Sequence, residues 1–285
     1  MANLFRSLVF VPGNNLRFLE KAKSLSADIV CFDLEDSVPD KEKNKARILI
    51  KNALKQRKSY LTNVYVRTNS PESGKIESDL KQIIQKGIDG VVIPKINSVK
   101  ELKQIEKMII SLEKKRKISG IRLIPSIESA LGVENCYEIA SCSKRIDAVV
   151  FGIFDLLNDI GIEYTKGNPI GGKYSRYKIP VSATAAGVYA IDGIWQDIKD
   201  ESGLKKDCNV GRMLGYAGKS VIHPDQIKTV HKIFHPNKTE ITWAKLVVKT
   251  YDRSTKKGKG ATVVSGQMID EVHYKRAKAL LEVSK

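Results

Sequence analysis

Cysteine is scarce: Cys31, Cys136, Cys142 and Cys208 are the only four in 285 residues, and no two form a C-x-x-C pair. Reduced, partly buried thiols are therefore expected in place of a disulfide framework, and no redox chemistry is read from them. Long apolar runs are missing as well. Ala148 to Phe151 and Val91 to Pro94 are typical, far short of the roughly 20 residues that cross a bilayer. In the opening MANLFRSLVFVPG, Arg6 and Ser7 interrupt any secretory core, so a cytoplasmic location without membrane contact is expected. Neither G-x-G-x-x-G nor a Walker sequence occurs, which argues against a nucleotide-binding open sheet. Internal repeats and low-complexity tracts are also absent. What is present, 42% hydrophobic and 28% charged residues, is the mixture of a globular chain with a core to bury, and it rules out disorder and collagen.

Acidic residues are outnumbered, 32 Asp plus Glu against 49 Lys plus Arg, for a net charge of +17 and a pI near 9.6. A field of that size favours a polyanionic partner. Nucleic acid is a poor match. The basic residues are spread along the chain, the clusters KKRK (114–117) and KKGK (256–259) are short, and no aromatic-rich basic stretch, zinc-finger or RNP pattern accompanies them. Both clusters read as solvated helix ends or loops. His231 and His235 are spaced for a metal on a helix, but Pro236 comes next and no third ligand is evident, so no site is assigned there.

Short runs rich in Val, Ile and Phe recur at Ser7 to Val11, Asp28 to Asp33, Asn63 to Arg67, Gly90 to Pro94, Ile121 to Ile127, Asp147 to Gly152, Val188 to Ile191 and Lys219 to Ile222. Helix-length sequence such as Asn14 to Leu25, Lys75 to Lys86 and Val99 to Lys114 lies between them. Buried strands alternating with amphipathic helices predict a parallel sheet. Eight such units in about 230 residues fit an α/β fold of the closed (β/α)₈ TIM-barrel type. The barrel is expected over residues 1–239, with a C-terminal helical extension over 240–285 that packs on its own barrel or reaches a neighbour. A glycine-rich basic stretch, GNPIGGKYSRYK within Glu163 to Lys178, has the composition of a loop over a site.

Charged residues stand at the strand ends: Glu35 and Asp36 after the second, Arg67 ending the third, Lys95 after the fourth, Glu128 after the fifth, Asp155 after the sixth, Asp192 after the seventh and His223 after the eighth. In a barrel these converge on the carboxyl-end face, where barrel enzymes place their chemistry. Glu128 and Asp155, on adjacent strands and without cysteine nearby, offer hard oxygen donors that suit Mg²⁺, with Mn²⁺ as the alternative ion. The competing reading pairs both carboxylates with Lys95 or Arg67 as ordinary ion pairs. Arg67 supplies a planar fork for a carboxylate or carbonyl.

These residues sit in motifs that resemble the citrate lyase β-subunit family of the HpcH/HpaI aldolase superfamily, a group of acyl-CoA carbon–carbon lyases that includes malyl-CoA and citramalyl-CoA lyases. The motifs are RSLVFVPG (6–13), FDLEDSV (32–38), VRTN (66–69), Pro94 with Lys95, IPSIESALG (124–132), FGIFDLLNDIG (151–161), AIDG (190–193), GKSVIHPDQI (218–227) and GQMID (266–270). The resemblance covers nearly the whole chain. It implies a Mg²⁺-dependent lyase that cleaves a citramalyl-CoA or malyl-CoA type 3-hydroxyacyl thioester to acetyl-CoA and an α-oxo acid. Glu128 and Asp155 would hold the metal, and Arg67 would contact the oxo acid. Arg6, Glu35, Asp36, Lys95, Gly152 and Asp192 would complete the substrate site. A homotrimer or its multiple is implied, with Asp270 serving the active site of the adjacent subunit as the catalytic carboxylate; the alternative is that Asp270 only caps the last helix. Phe154 and Glu271 depart from the family's usual residues. IHPDQ and the GKGA…GQMID tail read more like the stand-alone acyl-CoA lyases than like a citrate lyase β subunit, where an acyl-carrier protein replaces free coenzyme A. From a different class, a polyanion- or nucleic-acid-binding protein on a lyase-like barrel rests on charge alone, and intact Glu128, Asp155 and Arg67 argue against it.

Overall fold

The structure, a computed structural model, describes residues 5–164 and 172–284. Eight parallel strands close into a barrel in chain order: β1 (Ser7–Pro12), β2 (Ile29–Asp33), β3 (Asn63–Arg67), β4 (Gly90–Ile93), β5 (Arg122–Ile127), β6 (Ala148–Phe151), β7 (Tyr189–Asp192) and β8 (Gly218–Val221), which pairs back onto β1. Leu8, Ile29, Cys31, Tyr65, Val92, Ile124, Ala148, Val150 and Ile191 fill the interior, with Phe10 packed on them. Gly90 makes room for Tyr65, since a Cβ on it would stand 2.1 Å from that ring. Cys31, Cys136 and Cys208 are buried, and all four cysteines are free.

Helix ends obey local chemistry. Asn15 accepts from the Phe18 N–H and starts its helix at Leu16, two residues inside the expected start. Ser98 and Glu101 form a reciprocal cap that begins the helix Val99–Arg116, and the KKRK cluster supplies its last turn, where cations complement the exposed carbonyls. The segment expected as a long loop, 163–178, is helical from Lys173 onward, in the helix Lys173–Ala185; residues 165–171 lie outside the described residues. That helix tolerates Pro180 in its interior. Proline cannot donate to the carbonyl four residues earlier, and the Arg176 carbonyl accepts from the Tyr216 hydroxyl instead, at 3.1 Å.

Phe5–His231 forms one compact unit, and the chain from Lys232 onward belongs to a second. The latter contains the helix Lys238–Thr255, a hairpin of β9 (Thr262–Val264) and β10 (Gln267–Ile269), and the helix Glu271–Val283. Ala244, Val247, Val264, Ile269 and Ala277 form its core. The hairpin is not evident in the Gly/Lys-rich composition that precedes GQMID. Ser265 and Gly266, both at positive φ (51° and 79°), make the two-residue turn whose twist suits it. No helix among the described residues is long and apolar enough to cross a membrane.

Candidate active site

Side chains along a barrel strand alternate between interior and helix layer. Above interior Ile29 and Cys31 the next inward position on β2 is Asp33; above Tyr65 on β3 it is Arg67; above Ile124 on β5 come Ser126 and then Glu128; above Val150 on β6 it is Gly152. These residues, with Phe10, Asp36 and Asp155, line a cleft of about 560 Å³ at the carboxyl ends of the strands.

Arg67 organises one side of it. Its Nε and Nη2 donate to the two oxygens of Asp33 at 2.7 and 2.8 Å, and its Nη1 donates to Asp36 Oδ2 at 3.1 Å. Glu35 Oε2 lies 3.0 Å from Nη1, and the guanidinium sits 4.5 Å over the Phe10 ring. Of the five guanidinium N–H groups, three donate to Asp33 and Asp36, and Glu35 Oε2 also stands against Nη1. Asp33 is fully buried and in register with Arg67 across β2 and β3. Burial alone would raise its pKa, but the Arg67 charge and the hydrogen bonds from Arg67 and Ser37 override that and hold the carboxyl at about 2. Because the folded pKa is depressed, this contribution is present above the ordinary carboxylate range and is lost as pH falls from about 4 toward 2. Urea titrations should therefore show about 2 kcal/mol of stability disappearing over that interval. The loss should be smaller in Asp33→Asn; an unchanged acid dependence in that variant would rule Asp33 out as its source.

Lys95 bridges the other side, with Nζ 3.3 Å from Glu35 Oε1 and 3.2 Å from Asp155 Oδ1. Its φ of 54° is left-handed, an uncommon conformation outside glycine that turns the chain sharply at the end of β4. Burial opposes its charge, yet Glu35 and Asp155 keep the ammonium above the usual lysine value. Glu128 is buried, and its Oε2 has no hydrogen-bond partner. Burial pushes its carboxyl up to about 7; a hydrogen bond from Ser126 and the charge of Arg67 pull it down, and Asp155 adds to the rise. Burial likewise pushes Glu35 up to about 8, against Arg67 and Lys95. A Cβ on residue 152 would stand 2.3 Å from Glu128 Cγ, so Gly152 serves by letting that carboxylate lie flat against β6.

An orphaned buried carboxylate oxygen beside a second, partly exposed carboxylate is a donor set that fits Mg²⁺. Among the described residues no group of three or more His, Cys, Asp or Glu converges as a cage, and Mg²⁺ is commonly held by one or two carboxylates, with water and substrate oxygens completing the shell.

Not every expected residue belongs here. Arg6 lies at the opposite, amino-terminal end of β1, where its Nε and Nη2 grip Asp28 at 2.9 and 2.7 Å. Its assignment to the substrate site is corrected: the motif RSLVFVPG runs the length of a strand, so its two ends lie on opposite faces of the barrel. Asp192 comes directly after inward Ile191 and therefore points into the helix layer. There it pairs with Lys219 (3.1 Å), its register partner on β8, and with Arg176, while Asp207 joins both cations. This buried network of four charges replaces the expected role of Asp192 at the cleft. Asp270 is the N-cap of the last helix, accepting from Val272 N and His273 N at 3.0 and 3.3 Å and contacting His273 Nδ1 at 2.7 Å. His223 is partly exposed and lies 3.4 Å from Asp225. Asp33 was not among the expected site residues, although its register with Arg67 at two adjacent strand ends would have exposed it.

Residues 6–224 match the HpcH/HpaI aldolase/citrate lyase family. The chain is 33% identical to the citrate lyase subunit beta of Leuconostoc mesenteroides subsp. cremoris, covering 99% of this chain and 93% of that one. It is 34% identical to the mitochondrial citramalyl-CoA lyase of Homo sapiens, covering 96% and 83%. Among solved structures it resembles the protein CitE of Mycobacterium tuberculosis in complex with magnesium, acetoacetate and coenzyme A, with a TM-score of 0.80 at 23% identity over 100% and 99% of the two chains. The two named activities stand at equal distance, so the preference for a stand-alone acyl-CoA lyase drawn from the sequence has no support in overall similarity.

Proposed function

Because the chain belongs to the HpcH/HpaI aldolase/citrate lyase family and is a carbon–carbon lyase, we propose that it cleaves a short 3-hydroxyacyl thioester to an acetyl thioester and an α-oxo acid, with citramalyl-CoA or malyl-CoA as substrate. The observation that carries this reading is the buried, unpartnered Glu128 Oε2 in one cleft with Asp155 and Arg67. A solved protein of the same fold that binds magnesium, acetoacetate and coenzyme A supports it.

In cleavage the proton of the substrate hydroxyl passes to water in the cleft, the hydroxyl oxygen becomes the carbonyl of the oxo acid, and the electron pair of the breaking C–C bond passes to the α-carbon of the acetyl thioester. That carbon then takes up a proton. Glu128 and Asp155 would hold Mg²⁺, which when bound supplies a Lewis acid and a template for the oxo-acid oxygens. Arg67, held in plane by Asp33 and Phe10, would turn its remaining donor capacity to the same oxygens. Lys95 fixes Asp155 and Glu35. The proton at the acetyl carbon is assigned to Asp270 of an adjacent subunit in a homotrimer or its multiple.

A panel of malyl-CoA, citramalyl-CoA and citryl-CoA, and citryl on an acyl-carrier protein, tests the substrate. Glyoxylate or pyruvate released in equal amount with acetyl-CoA is the expected result. Oxaloacetate, above all from the carrier-protein thioester, would move the chain to the citrate lyase β-subunit reading, and no oxo acid from any of them would refute the lyase. The shared site is tested by co-refolding Asp270→Asn chains with Glu128→Gln chains, each inactive alone. If Asp270 acts across the interface, some mixed sites are intact and activity partly returns. If it acts within its own subunit every site carries a defect, and mixed oligomers verified by mass stay inactive.

A further inference from the structure

The excess of positive charge is not absorbed by the cleft, and part of it has a defined place. At the amino-terminal face of the barrel, behind the lyase site, the ends of the helices Lys43–Lys55, Ile76–Ile83 and Val99–Arg116 surround an open groove of about 940 Å³. Seven of its 13 lining residues are Lys or Arg, and none is Asp or Glu. We propose that this groove binds a compact oligophosphate.

The pairing of its cations selects that chemistry. Both arginines are spent internally: Arg57 on Asp89 (2.8 Å) and the Tyr60 carbonyl, Arg116 on the Ile84 and Lys81 carbonyls that close the neighbouring helix. Among the described residues Lys51, Lys58, Lys86 and Lys117 have no ion-pair partner, and Lys55 reaches only Asn52. Three helix ends bring partial negative charge to the groove, about half a charge each, and Arg116 already answers two of the exposed carbonyls. Five lysines are more than the remainder needs. An acidic peptide is favoured by free guanidinium forks and an apolar anchor, whereas here the forks are taken, Leu54 is buried and Ile118 is the only other apolar side chain in the lining. No aromatic ring lines the groove for a base to stack on, which disfavours single-stranded nucleic acid. Lysine ammonium groups, as point charges with three donors each, suit the many-sided oxygens of phosphate.

Calorimetric titration of the full chain with inorganic tripolyphosphate near physiological salt tests this, alongside ATP as the nucleoside source of the same triphosphate. Saturable binding is expected, about equal for the two ligands and not displaced by coenzyme A. The variant Lys51→Gln/Lys58→Gln/Lys86→Gln should bind about tenfold or more weakly, since each exposed charge contact contributes severalfold. The equal-charge control Lys114→Gln/Lys256→Gln/Lys257→Gln should bind like wild type, and both variants should keep wild-type thioester cleavage. Equal weakening in both would reduce the effect to net charge and overturn the proposal. So would competition by coenzyme A, binding of ATP without tripolyphosphate, tighter binding of an acidic peptide or DNA through the same lysines, or no binding at physiological salt.

Discussion

Arg67→Lys should lower kcat by about 10²–10³, the usual cost of removing a directed donor from a developing negative charge, while coenzyme A binding stays near normal. One ammonium keeps the charge but cannot reproduce the geometry. Arg67 spans both oxygens of Asp33, reaches Asp36 and lines the cleft. A lysine that satisfies Asp33 has nothing left at the right angle for an oxo acid. Stability and catalysis separate in a second substitution. Arg67→Ala leaves Asp33, wholly buried, as an uncompensated charge, and should cost about 3–5 kcal/mol in urea unfolding at neutral pH. That loss should shrink as pH falls, starting above the ordinary carboxylate range, because without Arg67 burial raises the Asp33 carboxyl and lets it protonate. Steady-state kinetics on Arg67→Lys within a few-fold of wild type would remove the guanidinium from the reaction.

The barrel is legible in the sequence because each strand is a short Val/Ile-rich run bounded by turn residues. Expected and observed ends differ by one residue at β2 and β5, and β3 coincides. The helix boundaries needed the caps, as at Asn15, and the helix through Pro180 needed a tertiary contact, the Tyr216 hydroxyl, that no local pattern announces. Within the site, the charged positions at the strand ends place Arg67, Lys95, Glu128 and Asp155 correctly at one mouth. The same rule misplaces Asp192, because only alternation from Ile191 tells that it faces the helices, where Lys219, Arg176 and Asp207 hold it. Arg6 is misplaced for a different reason: a motif match names residues without saying which end of a strand they occupy. Asp33 ends its strand as Arg67 does, and strand pairing sets the two side by side, but in the sequence the loop carboxylates Glu35 and Asp36 stand for that strand end in its place.

Glu128→Gln should abolish turnover, by about 10²–10³ or more, because several kcal/mol of charge stabilisation depend on the ion this carboxylate would hold. The substitution keeps the shape of the side chain. It also removes a charge whose burial already pushes its pKa up to about 7, so in metal-free buffer the variant should melt at or above the wild-type temperature. Activity and stability then move in opposite directions, which a simple folding defect would not do. The most direct measurement is a Mg²⁺ titration of chelator-stripped wild type, Glu128→Gln and Asp155→Asn, recording metal binding and oxo-acid release from the best thioester in the same samples. The wild type should be silent without metal and recover as Mg²⁺ binds, while both variants bind weakly and stay inactive although folded. Full turnover in metal-free buffer, or a Glu128→Gln enzyme that binds Mg²⁺ and cleaves normally, would contradict the account.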